Sequence, residues 1–237
     1  MTAPLSIIPI AGIGEIRPGD ELAELIADAA RAQGTPLVDG DCVVVTQKIV
    51  SKAEGRLVPI DPLDRDARRR LVESESVRIV RVRGDLIISE TAHGFVCANA
   101  GVDLSNVESG YAALLPVDAD RSAKHVCDAL HARAGVDVAV IVSDTFGRPW
   151  RQGLSDVAIG VCGITAVVDL RGASDALGRE LMVTEVAIAD EIASAAELVM
   201  GKSANVPVAI VRGLDASWFG TGSVRQLVRP PQDDLFR

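Results

Sequence analysis

The stretch Val136-Asp-Val-Ala-Val-Ile-Val-Ser-Asp-Thr-Phe-Gly-Arg-Pro-Trp-Arg-Gln-Gly153 decides the fold. Its apolar, β-branched beginning, Val136 to Val142, predicts a strand that is buried on both faces. We expect this strand to stop at Ser143-Asp144-Thr145, before a turn that carries Arg148 and Arg151. The end of the strand would then place two kinds of group at one edge of a buried sheet. Its oxygen ligands suit a hard cation such as Mg²⁺, and its guanidinium groups suit phosphate or carboxylate.

A second polar cluster follows another apolar segment of the chain. Asp103 and Asn106 are three residues apart in the Gly-containing loop Asn99–Asn106, which comes after a predicted strand over 93–99. Each acidic residue by itself is equally explained by a local turn, because Asp and Asn commonly bond their own backbone there. Taken together, Asp103 and Asp144 indicate a pair of carboxylates that holds Mg²⁺ beside phosphates.

Two further stretches carry weaker signals for a bound nucleotide. Gln47 to Lys52 follows the predicted strand Cys42–Thr46, where its lysines could bind phosphates or simply form a solvated loop. Gly12 and Gly14 resemble a phosphate-binding loop, although the G-x-G-x-x-G register fails at position 17. The alternative for this glycine loop is a plain strand-to-helix connection.

Gly160 and Gly163 interrupt an apolar run that otherwise reads as a strand. Glycines in such a pattern predict a bend or a close approach by another backbone. A second copy of the chain packing at this point is one way to supply that backbone.

Composition excludes several classes of protein. The 237 residues contain 33 acidic and 24 basic side chains, a net charge of -9, which argues against a general nucleic-acid or membrane-surface binder. The four cysteines are scattered and none forms a C-x-x-C pair, which is typical of a reducing compartment. There is no signal-peptide pattern and no apolar span of membrane length, so we expect a cytoplasmic protein.

Five separated blocks of the chain together resemble the coenzyme F420-0:L-glutamate ligase family. The similarity runs over essentially the whole chain, and five blocks in the same order are far more specific than any one of them. The blocks are Gly12–Asp20, Thr46–Lys52, Ala100–Asn106, Val142–Arg148 and Pro207–Gly213.

The resemblance implies an α+β fold with a mixed, largely buried β-sheet and flanking helices. It implies one ligase domain over residues 1–237, or two intimately packed subdomains, without the C-terminal reductase domain of some relatives. It also implies an intertwined homodimer. The implied reaction is the GTP-dependent addition of L-glutamate to coenzyme F420-0 through γ-linkages, by way of an acyl phosphate that the glutamate amine attacks.

The resemblance also implies roles for individual residues. Asp103 and Asp144 would hold one divalent ion, Mg²⁺ or Mn²⁺, and Thr145 a second, with K⁺ as a further candidate ion. Asp144 and Arg148 are the predicted catalytic residues. Arg148 and Arg151 as candidate clamps for a carboxylate or phosphate do not follow from the resemblance but from their place after the strand. The predicted GTP contacts are Ile13, Gly14, Glu15, Ile16, Gln47, Lys52 and Asn106.

One position departs from the family pattern, and two other functions stay open. Some relatives supply a further metal ligand near the end of the last long helix, where this chain has Gly201-Lys202. A charged lysine is a poor metal ligand, which weakens the case for a second ion. The alternatives are a metal-dependent phosphohydrolase, which would activate water with Asp103 and Asp144, and a non-catalytic nucleotide-binding protein.

Overall fold

The main sheet is built from strands that are far apart in the sequence. The computed structural model describes residues 4–235. Its helices are α1 (Leu22–Ala32), α2 (Gln47–Ala53), α3 (Arg65–Ser74), α4 (Ala119–Ala134) and α5 (Ile188–Met200). Its strands are β1 (Ser6–Ile10), β2 (Cys42–Thr46), β3 (Leu57–Pro59), β4 (Ser76–Arg83), β5 (Leu86–Thr91), β6 (Val96–Ala98), β7 (Tyr111–Ala113), β8 (Ala139–Gly147), β9 (Leu154–Cys162), β10 (Val168–Asp169), β11 (Glu185–Val186) and β12 (Val208–Arg212).

The five-stranded sheet has the order β1-β12-β2-β8-β9 and is mixed. Strands β2 and β8 run parallel, whereas the other three neighbouring pairs are antiparallel. Pro9 lies in the edge strand β1, where its missing N–H costs no interior hydrogen bond. The α+β class and the mixed sheet that the resemblance implied are confirmed.

The two faces of this sheet are both covered by helices. Alternate residues of β2 and β8 point to opposite faces, as the two-residue repeat of a strand requires. Val43 and Val140 pack into a cluster that includes residues of α1 and α4, and Val44 and Ile141 pack into a second cluster with α5. All four are fully buried, so the predicted burial of the central strand on both faces is confirmed.

Strand β8 continues past the point where the sequence predicts its end. It runs to Gly147, because antiparallel pairing with β9 carries the ladder from Ser143 opposite Ala158 to Gly147 opposite Leu154. An irregularity between Val142 and Ser143 shifts the register there. The acidic and hydroxyl side chains after Val142 therefore project from a paired strand and not from a turn.

The segment after β2 is a helix and not a loop. α2 starts immediately after Thr46, and its side chains Gln47, Ser51 and Lys52 are buried. Of the two alternatives left open from the sequence, the solvated loop with two lysines was wrong. The hydrogen bonds of Gln47 and Ser51 to the Leu114 carbonyl oxygen explain why polar residues are tolerated here.

Gly160 permits a close approach within the same chain. A Cβ atom at this position would lie 2.2 Å from the carbonyl oxygen of Ala119, at the start of α4. The expectation of a nearby backbone is confirmed, and that backbone belongs to α4. A second copy of the chain is not needed to account for this glycine.

Three smaller sheets complete the structure described over residues 4–235: β4-β5-β6, β3-β7 and β10-β11. Strands β4 and β5 pair as an antiparallel hairpin. No helix in this part of the chain combines the length and apolar character needed to cross a bilayer.

Candidate active site

A cleft of about 1200 Å³ lies beyond the ends of the parallel strands β2 and β8. Open sheets commonly bind ligands outside the carboxyl ends of their parallel strands, where the chain leaves in different directions. Here β2 turns into α2 while β8 continues along β9. The cleft brings together every predicted metal ligand and every predicted GTP contact: Ile13, Gly14, Glu15, Ile16, Gln47, Lys52, Asp103, Asn106, Asp144 and Thr145.

Asp103 is held at the cleft by backbone geometry and by a lysine. Its backbone pairs with Ala113, and its carboxylate accepts a 2.7 Å bond from the Ser105 amide, so the predicted Asx-type turn is also present. Lys48 Nζ lies 2.8 Å from Asp103 Oδ2. Burial raises the pKa of Asp103, but the bonds from Lys48 and Ser105 outweigh it and leave this pKa below its usual range.

The loop that leads to Asp103 has an uncommon backbone conformation. Asn99, Ala100 and Gly101 have φ values of 51°, 53° and 72°, in the left-handed region. For Ala100, which is buried, this conformation costs roughly 1–2 kcal/mol. The Asn99 side chain accepts a 3.0 Å bond from the Ile87 amide, which ties the loop to β5. Such strain is found where a surrounding structure holds a functional loop in place.

Asp144 is partly buried in the cleft wall, on the extended part of β8. The pKa of Asp144 is raised to about 7, first by desolvation and then by the negative charges of Asp103 and Asp156, against the opposing backbone hydrogen bond of Thr145 and the charge of Lys48. Asp103 and Asp144 line the same cleft, and the negative charge of Asp103 disfavours the ionised form of Asp144. A carboxylate with this environment gains stability when a cation binds beside it.

Lys52 has an almost buried side chain that reaches the cleft. Only 8% of the side chain is exposed, and its ammonium contacts Glu15 Oε1, whose side chain is 74% exposed. The loop 13–16 thus closes over a buried cation from the solvent side. A phosphate group entering the cleft could replace the exposed carboxylate on this lysine.

Gln47 and Asn106 reach the cleft in different ways. The Gln47 amide nitrogen donates to Ser51 Oγ at 2.6 Å and to the Leu114 carbonyl at 2.9 Å, so both of its N–H groups are engaged. Asn106 is exposed and has a φ of 51°, a left-handed conformation that asparagine tolerates. Asn106 is therefore the freer of the two side chains to contact a ligand.

A second set of oxygen atoms lies beside Asp144. The Thr145 hydroxyl donates a 2.6 Å bond to Asp156 Oδ1, across the β8–β9 pair. Lys202 Nζ contacts the same Asp156 oxygen at 2.6 Å, Thr145 Oγ1 at 2.5 Å and Glu197 Oε1 at 3.4 Å. Burial lowers the pKa of Lys202, but the interactions with Asp156 and Glu197 outweigh this and raise it.

Arg148 and Arg151 lie outside this cleft. Neither belongs to its lining, both are exposed, and Arg148 Nη2 donates to the Gln152 carbonyl at 2.9 Å. They lie beyond the last paired residues of β8, where the chain turns away towards β9. Their roles as clamps, and the catalytic role of Arg148, stay predictions that this cleft does not support.

Sequence reasoning missed Asp156 and Glu197, and it considered Lys48 only as one of two lysines that could bind phosphates. Asp156 could not be predicted because its hydrogen bond with Thr145 forms only when β8 extends past Val142. The polar residues there gave no sign of a continuing strand. Glu197 and Lys202 meet the site only through the packing of α5 against β8 and β9. The sequence signal for Lys48 was its place directly after β2, at the same sheet edge as Asp144.

The residues present fit one divalent ion. Within residues 4–235, no group of three or more His, Cys, Asp and Glu side chains is placed to hold a metal unaided. Mg²⁺, however, is usually bound by one or two carboxylates together with substrate phosphates and water. Asp103 and Asp144, facing one cleft with room for a nucleotide, match that donor set.

Comparisons with known proteins agree with this picture. The family model described as F420-0:Gamma-glutamyl ligase matches residues 12–213. Proteins named Coenzyme F420:L-glutamate ligase from Methanothermobacter thermautotrophicus and Methanopyrus kandleri are each 44% identical to the chain and cover 98% of it, with 99% and 98% of their own lengths matched. A protein of the same name from Methanocaldococcus jannaschii is 42% identical over 91% of the chain and 90% of its own length. The chain therefore belongs to the F420-0:gamma-glutamyl ligase family.

Proposed function

We propose that the chain is a GTP-dependent ligase that adds L-glutamate to coenzyme F420-0 through γ-linkages, in coenzyme F420 biosynthesis. The family and the names of its relatives support the ligase activity and its two substrates. The observation that carries the proposal is the convergence of Asp103 and Asp144, from separate parts of the chain, on one cleft that also contains Lys48 and Lys52.

The proposed reaction has two steps. A carboxylate oxygen of F420-0 takes the γ-phosphoryl group of GTP, which releases GDP and leaves an acyl phosphate. The amine nitrogen of L-glutamate then attacks the acyl carbon, the bond from that carbon to the phosphate oxygen breaks, and phosphate and a proton leave. Such phosphoryl transfer needs mainly positioning and charge neutralisation from the protein.

The side chains in the cleft suit those two tasks. Lys52 presents a buried ammonium group to a phosphate oxygen, and Lys48 can exchange its contact with Asp103 for another phosphate oxygen. Asp103 and Asp144 would hold Mg²⁺ or Mn²⁺, which when bound neutralises phosphate charge and polarises the transferring group. The Ile13–Ile16 loop and Asn106 border the same space and would contact the nucleotide.

The size of the cleft supports more than one bound substrate. Pockets for one small ligand usually measure roughly 300–1000 Å³. This cleft, at about 1200 Å³, exceeds that range, as a site for a nucleotide and an acyl acceptor would. Water must be excluded from the cleft during the reaction, because water would otherwise hydrolyse the acyl phosphate before the amine attacks it.

The proposal includes a homodimer of the chain. Support comes from the segment that connects the paired strands β10 and β11, in which the side chains of Leu177, Met182 and Val183 are 80%, 70% and 84% exposed. Apolar side chains grouped on an exposed arm commonly mark a protein interface. Light scattering coupled to size-exclusion chromatography measures this state directly, and a mass of one chain would contradict it.

Mass spectrometry of the deazaflavin product tests the reaction. The protein is incubated with F420-0, GTP, Mg²⁺ and L-glutamate, and each component is omitted in turn. We expect products heavier by glutamyl units and a matching release of GDP only in the complete mixture. Asp144→Asn, which keeps the size of the side chain, should abolish both. GTP consumption that ignores glutamate would favour a phosphohydrolase, and GTP binding without turnover a non-catalytic protein.

A further inference from the structure

The oxygen atoms beside Asp144 already hold a cation that belongs to the chain. We call Thr145, Asp156 and Glu197 the second cation site. Lys202 Nζ lies 2.6 Å from Asp156 Oδ1, 2.5 Å from Thr145 Oγ1 and 3.4 Å from Glu197 Oε1. An ammonium group has three N–H donors and no acceptor, so three converging oxygens match its bonding capacity.

The surroundings explain why a positive charge is needed at this point. The Asp156 side chain is only 3% exposed, and a buried carboxylate without a counter-charge is strongly unfavourable. Glu197 adds a second negative charge from α5, and Asp144 lies near enough for Asp156 to disfavour its ionised form. Lys202 therefore supplies the positive charge beside two of these carboxylates, Asp156 and Glu197.

The backbone holds Lys202 in place. Gly201 ends α5 with φ 60° and ψ 176°, a positive-φ backbone conformation that favours glycine. Lys202 is the next residue, so its ammonium also lies near the negative end of the α5 dipole. The Lys202 side chain is 55% exposed, while its ammonium contacts an Asp156 side chain that is only 3% exposed.

We propose that the Lys202 ammonium is the permanent occupant of the second cation site and takes the place of a second divalent ion. The chain then binds one divalent ion fewer than the oxygen donors in its cleft would otherwise accept. The donors do not fit a metal while Lys202 is present, because a dication and an ammonium cannot share the same Asp156 oxygen. Lys202 is thus a positioning residue that fixes Thr145 and Asp156.

The number of Mn²⁺ ions bound per chain tests this inference. The inference rests on the proposed function in one respect, the ion held by Asp103 and Asp144. Mn²⁺ is titrated into the full chain, with and without GDP, and free Mn²⁺ is followed by electron paramagnetic resonance. We expect Lys202→Gln to bind one more Mn²⁺ per chain than the wild type. Lys202→Ala serves as a second variant that also removes the ammonium, and circular dichroism verifies that both variants fold.

Two controls keep the charge or change it elsewhere. Lys202→Arg retains a cation and should keep the wild-type count. Lys124→Gln removes an exposed lysine that pairs with Asp128 on α4, and it should also keep that count. A second readout is thermal stability in the presence of a chelator, where Lys202→Gln should melt below the wild type and recover when Mn²⁺ is added.

The outcomes separate the two proposals. One ion in the wild type and two in Lys202→Gln support both of them. No ion in the wild type and one in the variant support the lysine inference, while they count against the Asp103–Asp144 site. Equal counts in the wild type and in a folded variant overturn the lysine inference, and so do two ions in the wild type.

Discussion

Thr145 and Asp156 lie opposite each other on β8 and β9, and the threonine hydroxyl donates a 2.6 Å hydrogen bond to the aspartate. Ser143 Oγ approaches the other carboxyl oxygen at 3.3 Å, and Lys202 completes the set of partners. A buried carboxylate is thus surrounded by three donors, two from β8 and one from the segment after α5. This relation makes β9 a wall of the cleft and joins it to α5.

The pair of Asp156 and Lys202 should respond unequally to substitution. Lys202→Met leaves a carboxylate that is 3% exposed without its cation, whereas Asp156→Asn leaves a lysine that is 55% exposed and can turn to solvent. Asparagine also keeps an oxygen for the Thr145 hydroxyl. We expect Lys202→Met to cost about 2–4 kcal/mol of unfolding free energy and Asp156→Asn about 1 kcal/mol.

Urea denaturation of the metal-free variants measures this difference. The double variant Asp156→Asn/Lys202→Met completes a cycle and should be more stable than Lys202→Met alone, because the unpaired carboxylate is gone. Equal costs for the two single variants would contradict the burial argument.

Binding of Mn²⁺ should depend on pH through Asp144. The pKa of this carboxyl group is about 7 in the metal-free protein, and the ionised form binds the ion. Below pH 7 a proton competes with the metal, so we expect affinity to fall about tenfold per pH unit and to level off above pH 7. Calorimetric titration at several pH values measures the profile, and a flat profile from pH 5 to 8 would refute it.

The same carboxyl group should affect stability in the presence of a chelator. Because its folded pKa of about 7 exceeds its usual 3.8, the folded state binds more protons between these values, and stability falls as pH rises through them. Asp144→Asn removes the titrating group. Above pH 7 the variant should be more stable than the wild type and unfold at a higher denaturant concentration. The gain in unfolding free energy is at most about 4 kcal/mol and smaller in practice, because Asp144 has partial access to solvent. At pH 4 the two should nearly coincide.

Substitutions of Lys52 and Glu15 should change the use of GTP as a substrate in opposite directions. Lys52→Met removes a buried cation, and we expect kcat/KM for GTP to fall about 100-fold, the worth of a charge-assisted contact of about 2–3 kcal/mol. Glu15→Gln removes an exposed carboxylate that a phosphate must displace, so KM for GTP should fall a few-fold. Steady-state kinetics distinguish the two, and an increase in KM for Glu15→Gln would show that the carboxylate assists binding.

Gly160→Ala should destabilise the whole fold. The added Cβ would lie 2.2 Å from the Ala119 carbonyl oxygen and 2.3 Å from its carbon, so the start of α4 must move away from β9. We expect a loss of roughly 2–4 kcal/mol. Gly147→Ala is the matched control, because a Cβ at that position meets nothing within 4 Å and the strand should tolerate it. Thermal unfolding of both variants checks the contrast.

Much of the candidate site was readable in the sequence because its residues follow apolar strands. Asp103, Asp144, Thr145 and the segments 13–16 and 47–52 line one cleft, as the five sequence blocks implied. The burial of β8 on both faces followed from the apolar, β-branched run of Val136 to Val142. These features depend on local order along the chain, where hydrophobic pattern and the neighbouring polar residues suffice.

The chain alone determined the α+β class, the buried central strands and the acidic and basic residues at their ends, because local hydrophobic pattern and residue chemistry carry that information. Only the tertiary structure decided that β8 continues beyond Ser143, since the polar segment is stabilised by hydrogen bonds to β9 and not by its own sequence. It also decided that Asp156 and Lys202 meet, 46 positions apart, through the packing of α5 on β9. Such contacts arise from the way in which helices and strands pack, and this packing cannot be predicted from the order of residues within one segment.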